Sequence, residues 1–196
     1  EIYFKNGFHQ YLDVFDFHAY DDANSIKGEF AKYKEKLFPK YNCAKPIWST
    51  ELGLNCQGMT RRAVTIDLIK KFAIFFAKGG ANMSWFDLLY PDPEGKNVGS
   101  NGEAFNVFYC KYSLYCPKLD AVAYYNMVNG ICIKKFVEEK EFEGGIPAVL
   151  FRDKDAKCLL VIWKEKGRQD AFVPLDGVGK VKVIRLDGSS AELDAL

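Results

Sequence analysis

The first ninety residues alternate between two hydrophobic periods, and this restricts the fold more than any other feature. Residues 13–20, DVFDFHAY, set Phe15, Phe17 and Ala19 on one side and Val14, Asp16, His18 and Tyr20 on the other. That is the period of two of a strand. The next stretch, DDANSIKGEFAKYKEKLF, changes period. Ile26, Phe30, Tyr33 and Leu37 recur at helical spacing with lysines and glutamates opposite, and Asn24 or Ser25 is placed to cap the start. Pro46 then opens a second apolar strand, IWSTEL, and residues 59–78 read as a second helix stopped by Gly79 and Gly80. A third strand, ANMSWFDLL, covers residues 81–89. Strand and helix in strict alternation predict a parallel sheet with crossover helices.

The pattern changes near residue 131. CIKKFVEE, IPAVLFRD, CLLVIWKE, AFVPL and KVKVIRL are short and β-rich. Glu143-Gly144-Gly145, Asp153-Lys154-Asp155, Lys166-Gly167-Arg168, Asp176-Gly177 and Asp187-Gly188 separate them as turns. Such spacing predicts a small antiparallel sandwich or barrel. Between the two patterns, PDPEGKNVGSNGE reads as a loop and residues 104–129 as helical pieces around Pro117. Two units are therefore expected, residues 1–130 and 131–196.

Composition excludes several classes of function. A formal net charge of +1 over 196 residues leaves no basic footprint for nucleic acid or an anionic membrane surface. No apolar run approaches the roughly 20 residues of a membrane helix. No G-x-G-x-x-G, P-loop or G-x-S-x-G motif is present. With two histidines and no zinc-type cysteine spacing, no metal site is expected. The six cysteines leave two readings open, disulfides of a secreted protein or buried free thiols. Cys43 and Cys56 flank the extended run 46–52 and are expected to lie too far apart to bridge.

In parallel α/β folds the functional groups gather at the carboxyl ends of the strands. All three predicted strands carry polar or aromatic groups there: His18 and Tyr20, then Glu51, then Trp85 and Asp87. A carboxylate at the end of a buried strand is costly unless paired or put to use, so Glu51 is the residue to explain.

His18-Ala19-Tyr20, Ser49-Thr50-Glu51-x-Gly53 and Trp85, in that order, resemble the last three strands of the clan A glycoside hydrolases, retaining enzymes built on a (β/α)8 barrel. CPKLDAVAYYNMVNG resembles the helix that closes many of these barrels. The later F-x-D…LLVIW hairpin resembles their C-terminal β-sandwich. The resemblance implies an α/β plus all-β chain, in which the last three βα units of a TIM barrel precede a small antiparallel β-sandwich. It implies hydrolysis of O-glycosidic bonds by double displacement, with no cofactor and a glycoside, oligosaccharide or polysaccharide as substrate. Glu51 would be the nucleophile. His18 and Tyr20 would bind it or the sugar, and Trp85 would floor the sugar ring.

The family's acid/base glutamate, usually after an asparagine on the fourth strand, has no counterpart, because no Asn-Glu pair occurs in the sequence. Asp16 and Asp87 are spare carboxylates near the same face. The chain, starting at Glu1, is therefore expected to be the C-terminal part of a larger protein, inactive alone, whose N-terminal barrel half lies elsewhere. An extracellular or secretory, lysosome-like compartment is expected. The rival reading is a catalytically inactive glycosidase-like protein, structural or carbohydrate-binding, that keeps the barrel and uses its surface. Trp48 is expected in the barrel packing rather than against sugar, and Trp163 in the sandwich core. The sequon Asn82-Met83-Ser84 is expected to be buried and unmodified.

Overall fold

A computed structural model describes residues 1–54, 58–88, 105–109, 116–164, 167, 169–174 and 177–194. The chain is a mixed α/β structure with several sheets. A short helix α1 (Ile2–Lys5) and a 3-10 turn (Phe8–Tyr11) precede β1 (Phe15–Asp16). Helix α2 (Asn24–Phe30) widens to π-type spacing over Ala31–Leu37 and ends in α3 (Phe38–Lys40). Then come β2 (Ile47–Leu52), α4 (Arg61–Ala77) and β3 (Asn82–Trp85).

Strands β1, β2 and β3 form a parallel sheet in chain order. Ordered neighbours joined by helices are what right-handed crossovers produce. The helices cover one face. Phe17 and Ala19, Ile47 and Ser49, and Met83 and Trp85 all point into that covered layer and are buried. The opposite face carries Asp16, His18 and Tyr20, then Thr50 and Glu51, then Asn82 and Ser84. All of these are half-buried or exposed. The sequon asparagine, expected to be buried, thus stands on the open face because it alternates with Met83.

Helix α4 has a broad apolar face and is buried on several sides, its Thr65, Asp67, Lys70 and Lys71 included. Leu68, Phe72 and Phe75 are buried, and α4 packs against α2, α5 (Leu119–Ile131) and the strands beyond α5. Phe72 meets Tyr124 of α5 edge-on at 5.5 Å. Thr60 caps its start, the side chain accepting from the Ala63 N–H at 3.2 Å. At the other end the Gly80 N–H returns to the Phe75 carbonyl at 2.9 Å, with Gly79 at φ 83°.

The segment expected to be helical from residue 104 is partly extended. Phe108–Tyr109 (β4) pairs antiparallel with Cys116–Pro117 (β5), and α5 begins only after Pro117 and Lys118. Next, β6 (Lys135–Phe142), β7 (Ile146–Arg152) and β8 (Cys158–Ile162) form an antiparallel sheet, and β9 (Lys180–Ile184) and β10 (Ser190–Asp194) form a separate hairpin. The β6–β7 turn needs positive φ at both Gly144 and Gly145, 77° and 67°. In the β7–β8 turn the Asp153 carboxylate accepts from the N–H groups of Asp155 and Lys157, each at 2.9 Å. AFVPL is not a strand over its described residues 171–174. Pro174 supplies no ladder donor there. The expected loop 91–103 lies outside the described residues.

Cys43, Cys116, Cys132 and Cys158 are free, the last three exposed. Cys56 and Cys110 lie outside the described residues. Trp163 is half-buried against the main core, and Trp48 is half-buried on the open face between Asp16 and Asn82 in register. No described helix is long and apolar enough to cross a membrane.

Candidate functional site

Strict alternation from Ile47 would send Glu51 into the helix-covered layer with Ile47 and Ser49. The structure avoids this with an irregularity. The β2–β3 register shifts between Ser49 and Leu52, so that Thr50 and Glu51, adjacent in sequence, both reach the open face. Bulges of this kind re-aim side chains next to active sites. Ser49, just before the shift, is fully buried, and its hydroxyl donates to the Phe17 carbonyl at 2.6 Å. That bond ties β2 to the segment that carries His18.

Beyond the shift the backbone returns to parallel pairing. The Ala19 N–H donates to the Glu51 carbonyl at 3.3 Å, and the Gly53 N–H to the Ala19 carbonyl at 3.1 Å. This pairing sets His18 and Tyr20 beside Glu51. The Tyr20 hydroxyl donates a hydrogen bond to Glu51 Oε2. His18 Nδ1 stands 3.4 Å from the same oxygen. Burial, the bond to Glu51, and the nearby charges of Glu51 and then Asp87 hold the Tyr20 phenol well above the usual tyrosine range. At ordinary pH it is therefore a fixed donor to the carboxylate.

Gly53 makes this approach possible. A Cβ built there would lie 2.8 Å from the Phe86 carbonyl oxygen and 3.1 Å from two ring carbons of Tyr20. Only a bare Cα lets the ring lie flat along the strand end. The glycine two residues after Glu51 thus has a steric cause.

Trp85, expected as the floor of the site, is not part of this group. It is 6% exposed, on the covered side of β3, with the Lys71 ammonium 5.6 Å from its ring centroid. The alternation of Met83 and Trp85 against Asn82 and Ser84 puts it there. Phe86, the next residue, reaches the site instead. Its ring meets Tyr20 edge-on at 5.8 Å, and Phe105 closes the cluster at 5.4 Å from Tyr20 and 5.5 Å from Phe86. The period of two along 82–86 was the signal that could have found Phe86.

Two spare carboxylates flank the site. Burial raises the pKa of Asp87, against a smaller opposing effect from Lys118, and one of its oxygens is enclosed with no hydrogen-bond partner among the described residues. Asp16 lies on the open face and accepts from Thr50 twice. Below the strand end, Lys71 of α4 is fully buried. It lies 3.0 Å from Asp67 and donates to the Gly53 carbonyl. Burial lowers the Lys71 pKa and raises that of Asp67, with the partner's charge opposing in each case. Among the described residues no cluster of histidine, cysteine and carboxylate groups could hold a metal ion.

No protein-family model matches the chain, and no curated protein sequence matches it. Among solved structures, a family 39 glycoside hydrolase from the gut symbiont Bacteroides cellulosilyticus WH2 matches with a TM-score of 0.72 and 15% identity. The match covers 99% of this chain and 44% of that one. The chain therefore spans less than half the length of that glycoside hydrolase. At this identity the likeness establishes a shared fold.

Proposed function

We propose that this chain supplies the nucleophile half of a retaining β-glycosidase active site. In this reading β1 to β3 and their helices are the last units of a (β/α)8 barrel over residues 1–130, and residues 131–196 are an accessory β-sandwich. The observation that carries the proposal is the seating of Glu51. A register shift turns it out at the carboxyl end of a parallel strand, where a tyrosine hydroxyl and an imidazole meet one carboxylate oxygen. The other oxygen stays available to attack. The fold shared with a family 39 glycoside hydrolase supports the same reading.

The chemistry follows from the geometry. The Tyr20 bond orients the Glu51 carboxylate. Glu51 would attack the anomeric carbon to form a glycosyl ester and expel the aglycone oxygen. A second carboxyl group, about 5–5.5 Å away, would protonate that oxygen and later deprotonate the attacking water. The proposal places this second group in the barrel half not contained in these residues. His18 would contact the sugar or steady the nucleophile. The Tyr20–Phe86–Phe105 cluster would provide the apolar wall on which a sugar's C–H face can rest, the role expected of Trp85.

Chemical rescue tests the assignment. In the natural protein that contains this chain, Glu51→Gly should abolish hydrolysis of an activated aryl glycoside. Added azide should restore turnover and give the glycosyl azide of inverted anomeric configuration. Hydrolysis at an undiminished rate by Glu51→Gly would overturn the proposal.

A further inference from the structure

The proposed reaction makes no use of Asp16 or Thr50, yet both are tied to the back edge of His18. Asp16 Oδ1 accepts from the Thr50 backbone N–H at 2.9 Å, and Oδ2 accepts from the Thr50 hydroxyl at 2.8 Å. Thr50 Oγ1 also lies 3.0 Å from His18 Nε2, and Asp16 Oδ2 lies 3.3 Å from that nitrogen. A carboxylate only accepts, and a threonine hydroxyl has one proton. That proton is committed to Asp16. Toward His18 the oxygen can therefore only accept, and Nε2 must be the donor. The Asp16 oxygen beside it makes the same demand.

We propose that Asp16 is a positioning residue that fixes a proton on His18 Nε2, acting directly and through the Thr50 hydroxyl. The polarity of the whole row follows. His18 Nε2 donates toward Thr50 and Asp16, and Thr50 donates to Asp16. At the other end, Tyr20 donates to the Glu51 oxygen that faces His18 Nδ1. A neutral His18 then presents a lone pair at Nδ1, and only a doubly protonated ring presents a proton there. Either way His18 never meets Glu51 as a neutral donor, so the fixed donor to Glu51 is Tyr20. This inference rests on the proposed role of Glu51 for its bearing on catalysis. The placement of the proton does not depend on it.

The substitution Asp16→Asn makes a sharp test, because the backbone fixes how an asparagine must sit. Its carbonyl oxygen must face the Thr50 N–H, which leaves its NH2 group facing Thr50 Oγ1 and His18 Nε2. The Thr50 hydroxyl then accepts from Asn and donates to His18. The ring proton moves to Nδ1, where it faces Glu51. The measurement is the nitrogen chemical shift of both ring atoms in the natural protein labelled with isotopic histidine, at neutral pH, with His18 assigned by the signals lost in His18→Gln. The native protein should show a protonated, pyrrole-type Nε2. Asp16→Asn should show a pyridine-type Nε2 and a protonated Nδ1, and Thr50→Ser should keep the native pattern. A pyridine-type Nε2 in the native protein would overturn the inference, even if Asp16→Asn did not fold. So would an unchanged Nε2 in a folded Asp16→Asn. A merely structural role for Asp16 would not move these signals. Failure of the azide rescue would leave them in place, which separates this inference from the proposed reaction.

Discussion

Replacing Lys71 by Met should damage both stability and the site, because this lysine joins them. Its side chain is fully buried, 3.0 Å from Asp67, bonded to the Gly53 carbonyl and stacked above Trp85. Methionine fills similar space without the charge. Asp67 then keeps one bond, from the Ala23 N–H at 2.7 Å, and loses its counter-ion. Breaking a buried pair from one side costs about 3–5 kcal/mol. The orphaned Gly53 carbonyl adds roughly 1 kcal/mol. Asp67 can relieve part of this by taking a proton, since burial already pushes its pKa up. A carboxyl whose folded pKa is raised destabilises the fold when ionised, and protonation lifts the penalty as pH falls through that raised value. The deficit of Lys71→Met should therefore be largest at neutral pH and shrink in mild acid. Urea unfolding of the natural protein at both pH values, native against variant, measures this. Adding Asp67→Asn to Lys71→Met should recover most of the loss. A deficit below about 1 kcal/mol, or a double variant no more stable than the single, would refute the reasoning that the pair is mutually compensating.

Gly53→Ala should cost about 1–3 kcal/mol, because its Cβ has no room beside the Phe86 carbonyl and the Tyr20 ring. It should also slow reaction at Glu51 under conditions where the variant is still folded, which paired activity and denaturation curves would show. Tyr20→Phe removes a hydrogen bond to a carboxylate and should slow turnover roughly tenfold or more. The same variant should remove a tyrosine titration above the usual range. The folded-state pKa of Tyr20 is raised above its ordinary value of 10.0, so its contribution to stability holds below that value and fades as pH rises through the higher one. Phenolate absorbance in native and variant protein would show whether that late step is lost.

Much of the architecture was legible because the buried positions were periodic. Phe15, Phe17 and Ala19 on a period of two, and Ile26 and Phe30 at helical spacing, are buried in the places their spacing predicted or packed beside them. The open face of the site was legible only in part. His18 and Tyr20 reach it by plain alternation. Glu51 reaches it through a register shift that no residue pattern announced, and a strict reading of alternation would have hidden it. Trp85 shows the opposite failure. Its chemistry suited a sugar floor, but alternation had already assigned it to the layer that holds Lys71. The buried Lys71–Asp67 pair was missed because charged residues in a helix ordinarily signal its solvent side. Phe172 is exposed at 75% where a strand was expected, since an apolar run containing Pro174 has no ladder to join.

The measurement closest to the central claim is a covalent trap. The natural protein would be incubated with a panel of fluoro-sugar glycosides, whose electron-poor ring slows breakdown of the glycosyl ester, and the labelled peptide sequenced by mass spectrometry. The account predicts one fluoroglycosyl group on Glu51, with no label in Glu51→Gln. Label on another carboxylate, or none across the panel in folded protein, would contradict it.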